Sequence, residues 1–114
     1  MSQPSDEDID AELAALRCAF VARMPSRLAM LTAAMTAIID ADGSQAKAAL
    51  EELEKVAHGI SGSAGLFGYA GISVAAAALE QACLDCSKAD AVDQEASGRL
   101  RELYEDVMIN AETL

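Results

Sequence analysis

Aromatic residues are scarce in this chain, at 4% of 114 residues, and tryptophan is absent. Proline occurs only twice. Sheets favour aromatic and β-branched residues, whereas helices favour the alanine and leucine that dominate this sequence. The composition therefore favours packed helices over sheets, and the sequence contains no alternating strand pattern.

Basic residues are also few, with 8 against 19 acidic residues and a net charge of −11. This balance argues against nucleic acid or an anionic membrane surface as a partner. The longest near-continuous apolar stretch, residues 28–39, is interrupted by threonines and is too short to span a bilayer. Because the acidic, polar N-terminus does not resemble a secretory signal, we expect a cytoplasmic protein whose three cysteines are free thiols.

Helical periodicity is the main pattern that is present. Apolar residues make up 53% of the chain, enough for one sizeable core. They recur at spacings of three and four, beginning with Ile9, Leu13, Leu16, Phe20 and Met24. We expect residues 1–5 to form a flexible tail and residues 6–114 to form a single helical domain.

Turn signals divide this pattern into helices. Pro25 is expected either to start a second helix or to kink a long one. Turns predicted at residues 40–44, 68–71 and 88–91 separate further helices over residues 45–67, 72–87 and 92–110. Since short connections between long helices indicate antiparallel neighbours, the predicted fold is all-α: an antiparallel up-and-down four-helix bundle with an N-terminal helical extension or a kinked first helix.

The single histidine, His58, lies opposite the apolar face of its predicted helix. With His58 set at zero on a helical wheel, the expected core residues fall between about 160° and 240°; they are Ala49, Leu53, Val56, Ile60, Ala64 and Phe67. A buried histidine is thus excluded, whereas an inert exposed one stays open. Gly62 and Gly65 lie within about 40° of His58 on the wheel. They remove side chains beside the ring, which favours a histidine that another protein can approach.

The segment AHGISGSAGLFG, residues 57–68, resembles the signature of histidine-containing phosphotransfer (HPt) domains. The family pattern is a histidine followed by an apolar residue, a glycine, small residues and a second glycine. The matching residues are His58, Ile60, Gly62, Ser63, Ala64 and Gly68. The family continues with a helix ending in Leu-Glu, which Leu79 and Glu80 match, so that the resemblance spans about residues 20–85.

The resemblance implies a function in two-component signalling. HPt domains relay phosphoryl groups between receiver-domain aspartates, without binding ATP or phosphorylating themselves. By this resemblance His58 would be the phosphoryl acceptor, and Glu80 would orient it, with Gln81 as the substitute if the register slips. The implied partners are response-regulator receiver domains and hybrid histidine kinases.

No enzyme chemistry of its own is expected of the chain. The sequence has no phosphate-binding loop of the Walker type and no kinase signature, which fits a carrier that is not an enzyme. We expect no cofactor on this chain, with Mg²⁺ on the receiver partner. We also expect a monomer, since one small bundle of this family needs no partner to fold.

One position departs from the family pattern. The lysine usually found three residues after the histidine is Ser61 here. A hydroxyl donates one hydrogen bond but brings no charge. Lys55, one turn before His58, is the candidate to contact the phosphoryl group instead. The departure leaves open a degenerate HPt-like adaptor that binds a kinase or receiver without carrying phosphate. A helical adaptor unrelated to the family would leave Gly62 and Gly65 unexplained.

Two other patterns are weaker. Cys83 and Cys86 form a C-x-x-C pair, but neither a strand–helix context nor a second ligand pair accompanies it, so we expect the cysteines to pack between helices. Residues 40–51 fit part of a calcium loop, but Gln45 replaces the glycine that such a loop requires. We therefore expect a turn and a helix cap there, and no metal site.

Overall fold

Four helices make up the computed structural model, which describes residues 6–40, 43–89 and 92–114. They are α1 (Asp6–Asp40), α2 (Gly43–Leu66), α3 (Ala70–Ala89) and α4 (Gln94–Ala111). The described residues contain no strand. The expected all-α class is confirmed, while the tail predicted over residues 1–5 lies outside the described residues.

The helices pack as a ring of neighbours. Each helix contacts the next along the chain, and α4 closes the ring by contacting α1. The diagonal pairs, α1 with α3 and α2 with α4, have no Cα atoms within 8 Å of each other in the described part of the chain. Thr32 Oγ1 and Tyr104 OH lie 2.6 Å apart and join α1 to α4. This arrangement is the predicted antiparallel up-and-down bundle.

A purely apolar core fills the space between the helices. No polar residue is buried as a whole among the described residues, although Nη1 of the half-buried Arg27 is buried without a hydrogen-bond partner. The largest fully buried side chains come from all four helices: Leu31, Leu53, Ile60, Ile72, Leu79, Leu100, Val107 and Cys83. Burying one such aliphatic side chain is worth about 1.5–3 kcal/mol, so this layer holds the bundle together. It also fixes which face of α2 and of α3 points to solvent.

The first helix is longer than the bundle. It has 35 residues and continues through Pro25, so the expectation that a second helix starts there is wrong. Proline costs a helix about 3 kcal/mol, and the burial of Met24 and Leu31 on either side offsets that cost. All of residues 6–19 are exposed. They form the N-terminal extension that the sequence predicts, and the molecule measures 58 Å in its longest direction.

Several predicted turns are shorter in the structure. Gly43 and Ser44 already belong to α2, and Lys88 and Ala89 still belong to α3. The turn between α2 and α3 comprises residues 67–69, so Gly71 is helical rather than part of the turn. The remaining turn positions, residues 41–42 and 90–91, lie outside the described residues.

Two ends of helices have a clear local cause. Gly68 has a φ of 84°, a left-handed conformation that glycine adopts readily and that lets the chain reverse after α2. The Asp93 carboxylate accepts a hydrogen bond from the Ala96 N–H at 2.8 Å and caps α4. The last helix therefore begins at residue 94, two residues later than predicted.

None of the described helices is long and apolar enough to cross a membrane.

Candidate functional site

His58 lies on the outer surface of α2, where its side chain is 74% exposed. The residues before and after it in helical register fix this orientation. Leu53, Ala57 and Ile60 are completely buried and hold the opposite face of α2 against the core. The imidazole therefore reaches solvent, where another protein can contact it, although it stands beside a buried alanine.

Glu80 on α3 contacts the imidazole ring directly. Its Oε2 lies 2.5 Å from His58 Nδ1, and its side chain is 20% exposed. Leu79 and Cys83 are fully buried, so that Glu80 lies at the edge of the α2–α3 interface. An ionised carboxylate can only accept a hydrogen bond, so Nδ1–H must donate it. In the neutral ring this tautomer leaves the lone pair on Nε2.

Gln81 does not take this place. Its side chain donates a hydrogen bond at 3.1 Å to Asp85 Oδ1, one turn further along α3. It is exposed on a different face of α3 from Glu80. Of the two candidates for orienting His58, the structure brings Glu80 to the ring.

Ser61 binds the neighbouring helix. Its hydroxyl donates to the Ser73 carbonyl oxygen at 3.0 Å, and the Ser73 hydroxyl donates to the Ser61 carbonyl oxygen at 2.9 Å. This reciprocal pair joins α2 to α3 one turn from the imidazole. The hydroxyl proton that could have reached a phosphoryl group is thus already donated. Sequence reasoning missed Ser73, because nothing in its own surroundings along the chain marks it as the partner of Ser61.

The two glycines differ in their surroundings. A Cβ atom added at Gly62 would meet no atom within 4 Å, so the surface beyond His58 is open there. A Cβ added at Gly65 would lie 3.2 Å from Ser73 Oγ. Gly65 therefore allows α3 to approach α2 closely. This packing role differs from the sequence-based prediction that Gly65 leaves space beside the ring.

The surface of the α2–α3 hairpin is acidic. Between residues 48 and 87 the only lysine or arginine is Lys55, whereas five carboxylates occur there: Glu51, Glu52, Glu54, Glu80 and Asp85. Lys55 is exposed and precedes His58 by one turn. The two helices also carry Lys47 and Lys88 at their far ends, so Lys55 is the lysine that lies nearest to His58 along the sequence.

Cys83 is buried in the core and Cys86 is partly buried beside it. Burial, with a smaller contribution from Cys86 and nearby carboxylates, raises the pKa of the Cys83 thiol to about 12. Burial also raises the pKa of Cys86. Both thiols are therefore protonated near neutral pH and are free rather than disulfide-bonded. The described residues contain no cluster of His, Cys, Asp and Glu that could hold a metal ion.

These features define a class of structure: a helical bundle with one exposed imidazole whose Nδ1 lies against a carboxylate. The model of the Hpt domain family matches residues 15–108, and the chain belongs to this family. Hpt domains are phosphocarriers in two-component phosphorelays, which gives the chain a role in phosphotransfer. The comparisons with curated proteins and with solved structures found no match.

Proposed function

We propose that this protein carries a phosphoryl group on His58 and relays it between the aspartates of receiver domains. The observation that carries the proposal is the contact between His58 Nδ1 and Glu80 in a ring that is otherwise exposed. A surface histidine with no chemical role does not require a carboxylate fixed at one ring nitrogen. A histidine that must offer one particular nitrogen to a partner does need it.

The transfer step follows from the tautomer. The Nε2 lone pair attacks the phosphorus of a receiver's aspartyl phosphate, the N–P bond forms, and the acyl phosphate P–O bond breaks. The receiver aspartate leaves as a carboxylate. His58 keeps its Nδ1 proton and becomes a phosphorylated imidazolium, so no proton has to leave during the step.

Glu80 acts on both directions of the exchange. Its negative charge faces Nδ1–H and stabilises the positive charge that the ring gains on phosphorylation. The ring also stays a good leaving group, because the imidazolium departs from phosphorus as a neutral imidazole when a second aspartate attacks. Glu80 is thus a positioning residue that keeps the carrier reversible.

The receiver partner supplies what this chain lacks. It brings the aspartate and holds the Mg²⁺ that neutralises charge on the transferred phosphoryl group. On the carrier side, the open surface at Gly62 gives room for in-line approach to Nε2. Lys55, one turn before His58, brings a positive charge to the carrier side.

A second candidate function is an adaptor that binds a kinase or a receiver without carrying phosphate. The observation that favours it is the hydrogen bond from Ser61 to Ser73, because the hydroxyl at the usual lysine position is already donated to α3. The same docking surface around His58 would then be used without the chemistry. Hybrid histidine kinases and response-regulator receivers are the partners in both cases.

Phosphotransfer from a radiolabelled receiver or hybrid kinase of the same cell tests the proposal. We expect acid-labile, alkali-stable label on the wild-type chain and none on His58→Gln. Glu80→Gln should retain label but transfer it roughly tenfold to a hundredfold more slowly, since a hydrogen bond to a charged group contributes about 1.5–3 kcal/mol. Glu51→Gln removes an exposed carboxylate from the same hairpin without touching the ring, and its rate should stay near the wild-type rate.

The outcomes separate the two functions. Label on His58→Gln would overturn the carrier role, and equal rates for Glu80→Gln and Glu51→Gln would overturn the positioning role of Glu80. No label on any variant, together with equal binding of the wild type and His58→Gln to a receiver, would establish the adaptor. NMR of the imidazole nitrogens gives an independent check, because a proton on Nδ1 in the neutral wild-type ring should become divided between both nitrogens in Glu80→Gln.

A further inference from the structure

The N-terminal part of α1 carries an apolar stripe that its own bundle does not cover. Ile9, Leu13 and Leu16 are 44%, 43% and 53% exposed. They continue, at spacings of four and three, the face that carries buried Phe20 and Met24 further along the helix. The family match begins at residue 15, so most of this stripe precedes the part of the chain that resembles Hpt domains.

Charge is segregated along the same helix. Residues 6–12 contain five acidic residues and no basic residue. Residues 13–39 contain three arginines and no acidic residue; these are Arg17, Arg23 and Arg27. A helix with an acidic beginning and a basic continuation is complementary to itself when two copies run in opposite directions.

We propose that the exposed stripe of α1 docks on the same stripe of a second copy of this chain, as an antiparallel, two-fold symmetric pair. In a two-stranded antiparallel coil the stripe residues form layers in which Leu13 faces Leu16 of the partner copy. The same register places Asp10 beside Arg17 of the partner copy, because both flank the stripe on one side. Symmetry repeats both contacts, so one register satisfies the apolar and the charged residues together.

The shape of the molecule selects the antiparallel direction. Each bundle packs on the stripe face of its own α1 from Phe20 onward. In a parallel pair both bundles would have to occupy the space between the two helices. In the antiparallel pair the bundles lie at opposite ends, and the register places Ile9 level with Phe20 of the partner copy, where Phe20 packs on Phe67 at the end of the bundle.

The size of the stripe sets the strength of the association. Two turns of paired leucines bury little area compared with the roughly 1,200–2,000 Å² of a standard stable interface. The pair should therefore form reversibly, with a dissociation constant on the order of 10–100 μM. His58 lies on α2 outside the stripe, so phosphotransfer and self-association are separate properties.

Sedimentation equilibrium of the full chain from about 10 μM to 1 mM tests the pair. We expect the wild type to shift from monomer to dimer across this range, and Leu16→Glu to stay monomeric. Leu16 is half exposed, so the helix content and melting temperature of Leu16→Glu should stay near those of the wild type. Its phosphotransfer rate should also stay unchanged, which distinguishes failure of the pair from failure of the carrier role.

A charge exchange tests direction and register. Asp10→Arg should weaken the dimer about tenfold, because symmetry places two like-charged contacts in it. Adding Arg17→Asp to the same chain should restore the dissociation constant to within about threefold of wild type. Glu12→Arg is the matched control, since an antiparallel pair places it away from Arg17, and we expect a change below about threefold.

Three results would overturn the proposal. The first is a wild type that stays monomeric at the highest concentration. The second is a dimer that Leu16→Glu leaves intact. The third is a dimer that Glu12→Arg weakens as much as Asp10→Arg does, which indicates a parallel pair. A monomeric wild type whose binding to a receiver or kinase is lost in Leu16→Glu would assign the stripe to that partner and likewise overturn self-association.

Discussion

The α2–α3 hairpin and the N-terminal extension of α1 are built from similar helical sequence but end in opposite environments. In the hairpin, one face is buried, and side-chain hydrogen bonds at His58–Glu80 and Ser61–Ser73 join α2 to α3. In the extension every residue from 6 to 19 is exposed. Apolar periodicity is present in both. The difference teaches that periodicity creates a face, but the neighbouring helices decide whether that face becomes core or docking surface.

The sharpest test of this comparison truncates one leucine in each region. Leu79 is fully buried in the hairpin, and Leu79→Ala should lower the free energy of unfolding by about 2–5 kcal/mol. Leu13 is 43% exposed, and Leu13→Ala should change the free energy of unfolding by less than about 1 kcal/mol. Urea denaturation at a low protein concentration, below self-association, measures both. Equal losses would show that the extension is folded against the bundle.

The cysteines offer a second contrast between the regions, this time in pH dependence. Cys83 has its pKa raised from 9.0 to about 12, so the folded chain holds the thiol proton more tightly than the unfolded chain. Its contribution to stability is complete below pH 9.0 and falls as the pH rises towards 12. We expect Cys83→Ala to lose less stability than the wild type as the pH rises from 9.0 towards 12, as measured by urea denaturation.

Accessibility supplies the control for that measurement. Cys18 is exposed on the extension, whereas Cys83 is buried. A thiol reagent should modify Cys18 at once in the folded protein and Cys83 only after unfolding. Rapid modification of Cys83 at neutral pH would contradict its burial. If the wild type and Cys83→Ala lose the same stability at alkaline pH, groups other than Cys83 cause that loss of stability.

The smallest effect is expected at the two glycines beside His58. Gly62→Ala adds a methyl group in open space and should stabilise α2 by about 0.5–1 kcal/mol. Gly65→Ala places the methyl group 3.2 Å from Ser73 Oγ, so the same helix gain is offset by displacement of the Ser61–Ser73 pair. Thermal unfolding should therefore rank Gly62→Ala above Gly65→Ala. The opposite ranking would show that close approach at residue 65 is unimportant.

Sequence reasoning predicted the helical class, the bundle and the exposed position of His58, because each depends on local periodicity. It failed at boundaries. Of the two alternatives for Pro25, the start of a second helix is wrong, since α1 continues through it, and Gly71 lies inside α3 rather than in a turn. Propensity acts over a few residues at about 1–3 kcal/mol, whereas the burial of neighbouring core residues acts on the same segment with a larger total.

What the sequence by itself determined is the order of four amphipathic helices, a net negative surface, and a single histidine opposite an apolar face. Only the tertiary structure decided which carboxylate meets the imidazole, because Glu80 and Gln81 are adjacent in sequence and the orientation of α3 selects between them. It also decided that the Ser61 hydroxyl binds Ser73 and that the stripe on α1 stays uncovered. A helical wheel gives the direction of each side chain from its own axis, but contacts depend on the distance and rotation between two axes, which the packing of the whole core fixes.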